Sequence, residues 1–442
     1  MKNYNRILTL FFFISVLVGQ PTFTEHTIST SVNAARSVYP IDVDGDMDVF
    51  SPSSDDDEIA WHENDGSESF TDHAISDSAD VATSVYAVDV DDDGDGDMDV
   101  LSASWGDNRI VWYEQAGRSV QTTTYVPDDN FEQALIDFGY DDVLDDSVLT
   151  ANISSVTSLD VGEKEISDLT GIAGFTALTN LSCDQNQLTS LDVSGNTALT
   201  YLYCRDNALT SLDVSNNTAL TSLYCYRNQL TALDVSNKTA LTTLNCYGSS
   251  STSTYGVTNQ ITALDVSNNT ALTYLSCAYN QLTTLDVSNN TALTSLYCAY
   301  NPLTTLDVSN NTALTSLNCS YQSLTELDVS NNTALTSLYC DYNQLTALDV
   351  SNNISLQGLG AADNDLTTLD VSNNTALTYL YVSYNALTSL DVSNNTALTS
   401  LYVHNNALTT FDVSNNTALT TLYVSYMDLT ALDVSNNTAL PT

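Results

Sequence analysis

Residues 199–219 read LTYLYCRDNALTSLDVSNNTA, and this 21-residue unit returns with small edits from Leu178 to the C-terminus. Self-similarity at that period marks a repeat architecture. The unit holds two matched halves, LTYLYCRDNA and LTSLDVSNNTA, each with apolar residues at its first, fourth and sixth places and Asn at its ninth. A 3.6-residue helical period does not fit, and the Thr, Val, Tyr and Asn content favours extended chain and turns. The apolar fourth and sixth places alternate with polar third and fifth places, so leucines point one way and the rest outward. One unit cannot bury its own row of leucines. Stacked units can, so a mostly β solenoid of about 12–13 coils is expected.

The half LxxLxCxxNxL (Leu199, Leu202, Cys204, Asn207, Leu209) resembles the signature of leucine-rich repeat proteins, in particular secreted bacterial ones of the internalin type. Twelve units begin at 178, 199, 220, 241, 272, 293, 314, 335, 356, 377, 398 and 419, and a divergent copy precedes them from Val156. The step from 241 to 272 is ten residues too long, so the Ser/Thr/Gly stretch near Gly248–Val257 should loop out from one edge. Cys183, Cys204, Cys225, Cys246, Cys277, Cys298, Cys319 and Cys340 share the sixth place, which later units fill with Ala361, Val382, Val403 and Val424. A place that accepts Cys, Ala or Val is a small core position, so the reading is a ladder of buried thiols, with disulfides or metal binding as the other readings.

The rest of the chain divides by composition. Residues 1–20 carry Lys2 and Arg6 before the apolar run Ile7–Val18, which is short for a membrane span and sits where a secretory signal belongs. No other stretch could cross a membrane, so a secreted or cell-surface protein without membrane insertion is expected. Residues 21–117 hold two related segments, FTEHTIST…SVYPIDVDGDMDVFSPS…IAWHEND from Phe23 and FTDHAISD…SVYAVDVDDDGDGDMDVLSAS…IVWYEQA from Phe70. They resemble the FG-GAP or VCBS repeat, one blade of a β-propeller, and two blades cannot close a ring. A linker (118–124) leads to residues 125–155, where Phe131, Leu135 and Phe138 recur at helical spacing between Pro127 and Gly139. This segment is similar to the cap that precedes leucine-rich repeats in bacterial surface proteins. The solenoid then occupies 156–442 and stops inside a unit with no C-terminal cap, the pattern expected of a truncated gene or a missing module.

Net charge is −46, from 9 Lys+Arg against 55 Asp+Glu, and residues 239–442 contain no Lys or Arg. Phosphate neutralisation is impossible on such a surface, so nucleic acid is not a partner, and anionic membranes are equally disfavoured. Bound cations would relieve the self-repulsion. The run from Asp91 to Asp99 sets carboxylates at alternate places around Gly94 and Gly96, an oxygen cage suited to calcium. The family resemblance implies side-chain ligation by Asp91, Asp93, Asp95 and Asp99, with the Asp97 carbonyl, and structural calcium as cofactor. The first segment (Asp42, Asp44, Asp46, Asp48) is two residues shorter and forms a weaker site or none. A solvated acidic turn is the alternative for both.

Two columns remain. The fifth place of the second half is Asp from Asp192 to Asp433, read as a turn element or a diffuse cation binder. Outward places of the Cys-containing half hold Tyr201, Tyr203, Tyr224, Tyr226, Tyr274, Tyr297, Tyr339, Tyr379, Tyr381, Tyr402 and Tyr423, with Tyr279, Tyr300, Tyr321, Tyr342, Tyr384 and Tyr426 just past the strand. By resemblance this half lines the ligand face, and Tyr with Ser and Asn suits binding of a protein or glycan. Cross-strand stacking that only stabilises the sheet is the competing reading. The four histidines form no catalytic arrangement in sequence. The resulting function is a binding or adhesion protein, not an enzyme; the alternatives are a spacer module of a larger surface protein and an accessory region of a polysaccharide-degrading enzyme.

Overall fold

The computed structural model describes residues 9–10, 26–42, 47–64, 70–88, 99–113, 122–249 and 258–441. The chain forms two compact units, Met1–Gln121 and Thr122–Thr442. Of residues 1–20, only Thr9–Leu10 are described, as a short ladder with His26–Thr27, so the signal-peptide reading falls outside the described residues.

The second unit carries a thirteen-stranded parallel sheet built from three-residue strands, one per coil, from Ser158–Asp160 to Thr421–Tyr423. Register is fixed leucine to leucine: Leu181 faces Leu202, which faces Leu223, and so on to Leu422. A one-residue slip would turn every leucine outward, so the apolar row itself enforces this register. The ten-residue surplus leaves the ladder intact, since Thr243–Asn245 pairs directly with Tyr274–Ser276; residues 250–257 of that insertion lie outside the described residues.

The two halves of the unit, alike in sequence, fold differently. Only the Cys-containing half makes the continuous ladder. In the other half the Asp carboxylate accepts the backbone N–H of the Ser two residues on (Ser194 N to Asp192 Oδ1, 2.9 Å), and turns follow, with Asn196 N–H reaching Val193 O at 3.0 Å. A side chain that captures a nearby N–H competes with strand pairing. The same bond recurs from Ser215 to Ser435, and hydrogen bonds from the hydroxyl and the N–H of that Ser hold each exposed Asp below its usual range. The turn reading of this column is therefore the observed one.

Inside, the leucines of the first and fourth places, the valines and the sixth-place residues form one apolar core running from Val126 to Leu419. All eight cysteines are free and buried. Burial pushes the thiols of Cys246 and Cys298 up to about 12, and the others rise for the same reason. Buried Asn ladders satisfy the turns: Asn207 Oδ1 accepts Leu188 N–H at 3.0 Å while its amide donates to the carbonyls of Cys183 and Cys204. In the other half, Asn217 donates to Val193 and Asn196 of the coil before.

The cap covers the start of this core. Its helix, Asp129–Asp137, is N-capped by Asp128, whose Oδ1 accepts Asn130 and Phe131 N–H. The other oxygen of Asp128 accepts both the backbone and hydroxyl of Ser167 and the N–H of Asp168, tying helix to solenoid. Phe131 and Leu135 are fully buried as the spacing predicts, but Phe138 lies at the helix C-cap, 44% exposed, with the Lys164 ammonium 5.7 Å from its ring.

The first unit holds a four-stranded antiparallel sheet (Tyr39–Asp42, Met47–Ser53, Glu58–Asn64, Phe70–Ser76) and a three-stranded one (Ala82–Val88, Asp99–Ser104, Arg109–Tyr113). Both contribute to a shared core that includes Phe50, Ile59, Val85 and Val100. The sequence repeat starts at Phe70, yet the strand Phe70–Ser76 completes the sheet of the preceding repeat, pairing Trp61 with His73. Blade and repeat are thus offset by one strand. The equivalent edge of the second sheet leaves Ile110 81% and Trp112 42% exposed, whereas Ile59 is fully covered.

Because the sixth-place side chain is a buried small group, Cys298→Val should change unfolding stability by less than about 1 kcal/mol. Leu296→Ala should cost about 2–5 kcal/mol. Chemical denaturation of the two variants measures both, and a thiol reagent applied to the native protein should label none of the eight cysteines.

Candidate binding surface

The solenoid sheet presents its outward side chains in two rows flanking each buried leucine. Tyr201, Tyr203, Tyr224, Tyr274, Tyr297, Tyr339, Tyr379, Tyr381, Tyr402 and Tyr423 all stand there, interspersed with Ser222, Ser295, Ser316, Ser337 and Ser400. Tyr226 does not: it lies beyond Cys225, past its strand, where its hydroxyl meets that of Tyr203 at 3.0 Å. Rings in the row touch across coils, Tyr203 and Tyr224 edge-on at 5.3 Å and Tyr402 and Tyr423 stacked at 5.0 Å. This mutual packing leaves most of them half-buried, and desolvation raises the phenols of Tyr201, Tyr274 and, to about 12, Tyr379 and Tyr381. They are donors at any physiological pH. Stacking and an exposed hydrogen-bonding face coexist in the same residues.

The column past the strand follows a different logic. Tyr279, Tyr300, Tyr321 and Tyr342 stack face to face, each centroid 4.0 Å from the next and the rings within 16° of parallel. From Gln185 to Tyr426 every residue of this eighth place except Gly248 has a left-handed backbone, with φ of 51–56°. That conformation costs a bulky residue about 1–2 kcal/mol, which ring stacking at about 0.5–1.5 kcal/mol per pair offsets. The stack stops at Asp363, and the next ring, Tyr384, packs edge-on against His404 at 5.2 Å. An open cavity of about 390 Å³ lies in the break, lined by Tyr342, Asn343, Asp363, Asn364, Asp365 and Tyr384.

Near the other end stands a cation cluster that sequence reading missed. Arg205 pairs with Asp184 at 2.9 Å and with Asp206, and donates to the Tyr203 hydroxyl. Its guanidinium lies 5.2 Å from the Tyr203 ring centroid and 5.7 Å from that of Tyr226. Arg227 approaches Asp206 at 3.5 Å.

In the first unit, Asp48 and Asp99 are buried, and Asp48 Oδ1 accepts Asn64 N–H at 2.8 Å. Asp44, Asp46, Asp91, Asp93, Asp95 and Asp97, with the Asp42 side chain, lie outside the described residues. Among the described residues no group of three His, Cys, Asp or Glu is placed to hold a metal, and no helix is long and apolar enough to cross a membrane. The fold does assemble one arrangement invisible in sequence. Ser51 Oγ meets His62 Nε2 at 2.8 Å, and His62 Nδ1 meets Asp72 at 2.7 Å. Ser51 and His62 are fully buried, closed to any substrate, so this Ser–His–Asp row serves as a polar relay across three strands.

Asp341, just past the strand Ser337–Tyr339, is buried, 9% exposed, accepting Ala362 N–H at 2.9 Å and the Ser320 hydroxyl at 3.3 Å. Burial, with the Asp363 carboxylate adding, pushes it up to about 6 against those hydrogen bonds. A carboxyl raised in the folded state destabilises the fold once pH exceeds the unfolded value. Asp341→Asn should therefore stabilise the protein by on the order of 2 kcal/mol at pH 7. The gain should vanish below about pH 4, as thermal unfolding at the two pH values would show.

The FG-GAP-like repeat family matches residues 41–95, and the LVIVD repeat family matches 187–227 and 359–379. The functional domain of InlJ from Listeria monocytogenes, a structure described as including a cysteine ladder, shares 39% identity with this chain. It covers 72% of this chain and 74% of that one, with a TM-score of 0.62. An internalin (InlF) from the same organism matches at 26% identity over 72% of this chain and 95% of that one, with a TM-score of 0.65. A Leptospira interrogans leucine-rich repeat protein, 21% identical, shares the fold at a TM-score of 0.55 over 66% of this chain and 84% of that one. Among curated proteins, internalin J of Listeria monocytogenes is 40% identical over 80 residues, a stretch that spans 18% of this chain and 9% of that protein.

Proposed function

The chain belongs to the internalin family of leucine-rich repeat proteins, and from that premise we propose that it is a secreted or cell-surface binding protein whose tyrosine-lined sheet holds a protein ligand. The observation that carries this reading is the outward row itself. Ten tyrosines stand on one face of an otherwise Ser-, Thr- and Asn-lined sheet, half-buried and rigidified by their neighbours. Rigid aromatic rings with a hydroxyl lose little entropy on binding and dominate interface energetics. A stretch of 204 residues without Lys or Arg (239–442) further favours a ligand with basic character. A glycan would use the same hydroxyls, and a glycan array separates the two.

Replacing Tyr201, Tyr203 and Tyr224 together by Ala should weaken ligand capture by a hundredfold or more, at about 1–2 kcal/mol per anchor, while circular dichroism and the eight protected thiols remain unchanged. Unaltered affinity of that variant in surface plasmon resonance would reject the tyrosine face as the binding site.

Calcium in the first unit is part of the proposal. Asp91, Asp93, Asp95 and Asp99, with the Asp97 carbonyl, supply the hard oxygen donors that calcium prefers, and the ion would neutralise their mutual repulsion. Chelation should lower the melting temperature of the first transition in calorimetry, and Asp93→Ala should abolish that response; identical scans with and without chelator would reject the site.

A further inference from the structure

The two sheets of the first unit come from successive copies of one repeat, so each contact between them has an equivalent at the unit's two ends. The strand Phe70–Ser76 completes the first sheet along Glu58–Asn64 with six residue pairs in register, Trp61 facing His73 and stacking on it at 4.9 Å. Ile59 of that sheet is fully buried in one core with Ala79, Ala82 and Val85 of the next repeat. Asp57 accepts Ala79 N–H on its carbonyl at 2.8 Å and Val81 N–H on its carboxylate at 2.9 Å.

Among the described residues the second sheet has no such cover. Aligned by repeat, Asn108 stands for Asp57, Ile110 for Ile59 and Trp112 for Trp61. Asn108 keeps the left-handed backbone of Asp57, φ 55° against 56°. Arg109–Tyr113 is an edge strand, and Ile110, Trp112 and the nearby Trp105 are exposed. The opposite end shows the complementary deficit. Val32, Ala35 and Val38 stand where Ala79, Ala82 and Val85 do, but they are half-buried where those three are buried.

The strand that fits this edge is in the chain. FTEHTIS (Phe23–Ser29) copies FTDHAIS (Phe70–Ser76). Its lead into the first sheet also repeats the lead of Phe70–Ser76 into the second. Ser31 N–H reaches Ser29 Oγ at 3.2 Å as Ser78 N–H reaches Ser76 Oγ at 3.3 Å, and Ala34 and Val81 share a left-handed backbone, φ 51° and 55°. Among the described residues this copy makes a two-residue antiparallel ladder, His26 opposite Leu10. One end of the unit therefore carries a strand and a half-covered apolar face, and the other carries the edge and apolar face that match them. The two surfaces differ, so the contact between copies is heterologous and runs head to tail.

We propose that copies of this chain join into a ring through these ends, Phe23–Ser29 of one copy completing the second sheet of the next along Arg109–Tyr113. The register follows the internal one: His26 opposite Trp112, Thr27 opposite Val111 and Ser29 opposite Ile110, as His73, Ala74 and Ser76 oppose Trp61, Ala60 and Ile59. Ile110 is then covered by Val32, Ala35 and Val38 of the neighbouring copy, and the main-chain ladder supplies the remaining affinity. A six-pair ladder replaces the two pairs made with Thr9–Leu10. A propeller closes with about four to eight blades, so two per copy gives about two to four copies. Such a ring carries one solenoid per copy and makes its outward face multivalent, although the assembly does not rest on the binding reading above.

The test is analytical ultracentrifugation of the full chain over a concentration series, joined to thiol cross-linking. The mass should reach a plateau at about two to four times that of one chain. Ile110→Lys alters an exposed side chain of the single chain but sets an ammonium inside the contact, so it should return the protein to single-chain mass with unchanged circular dichroism. His26→Cys and Trp112→Cys variants, mixed and oxidised, should form a disulfide-linked pair of chains, with the eight native thiols buried and silent. Thr27→Cys in place of His26→Cys should cross-link at least tenfold less, because its side chain points to the opposite face of the sheet. The cross-link decides the matter if Ile110→Lys fails to fold. A single-chain mass at every concentration, an oligomer that a folded Ile110→Lys variant retains, or equal cross-linking from positions 26 and 27 would overturn the assignment.

Discussion

Each coil of the solenoid can hide its leucines only against the coil before and the coil after. The whole second unit follows from that dependence. Leu181, Leu202 and Leu223 face one another in register because no other pairing keeps them dry. Once register is set, every other place of the unit is stacked on its own copies. A buried place becomes a ladder of thiols, a turn place a ladder of asparagines, and an outward place a column of tyrosines or aspartates. The period turns one choice of residue into a surface one coil wide and many coils long.

Stacking like upon like has an electrostatic consequence. A column of aspartates is tolerable where each carboxylate is solvated and holds a Ser N–H, as from Asp192 to Asp433. It is not tolerable at half-buried places, and there the chain interrupts the column. Arg205 neutralises Asp184 and Asp206 in the one region that has cations to spend. Asp341 and Asp363 repeat the acids beyond the last Lys or Arg, at Lys238. The same contrast separates the aromatic columns. Neutral rings stack without repulsion, and Tyr279 to Tyr342 do so from the left-handed backbone they share with Gln185, Asp206 and Arg227 at the same place.

The first unit obeys the complementary rule for antiparallel sheets. A strand must be covered on its apolar face and paired on its edge, and Phe70–Ser76 meets both needs for the preceding repeat rather than its own. The buried Ser51–His62–Asp72 row shows how a catalytic-looking set arises from satisfying polar groups between strands. Its burial decides its role.

Sequence alone determined the solenoid, its period, the buried free thiols at the sixth place and the apolar faces, because each rests on local alternation repeated a dozen times. It also marked Tyr201 to Tyr423 as outward, and of these the structure moves Tyr226 off the sheet, two residues past its strand. Tertiary structure decided what depends on neighbours a full coil away. Two halves of similar sequence became strand and turn only in the stacked coils, where one half pairs with its copies and the other is held in turns by Asp and Asn side chains. The offset of blade and repeat, seen where Trp61 pairs with His73, and the Arg205–Asp184 and Tyr203–Tyr226 contacts join residues 12–23 positions apart in sequence. No single unit read by itself contains those contacts, since the register that creates them exists only once the coils are stacked.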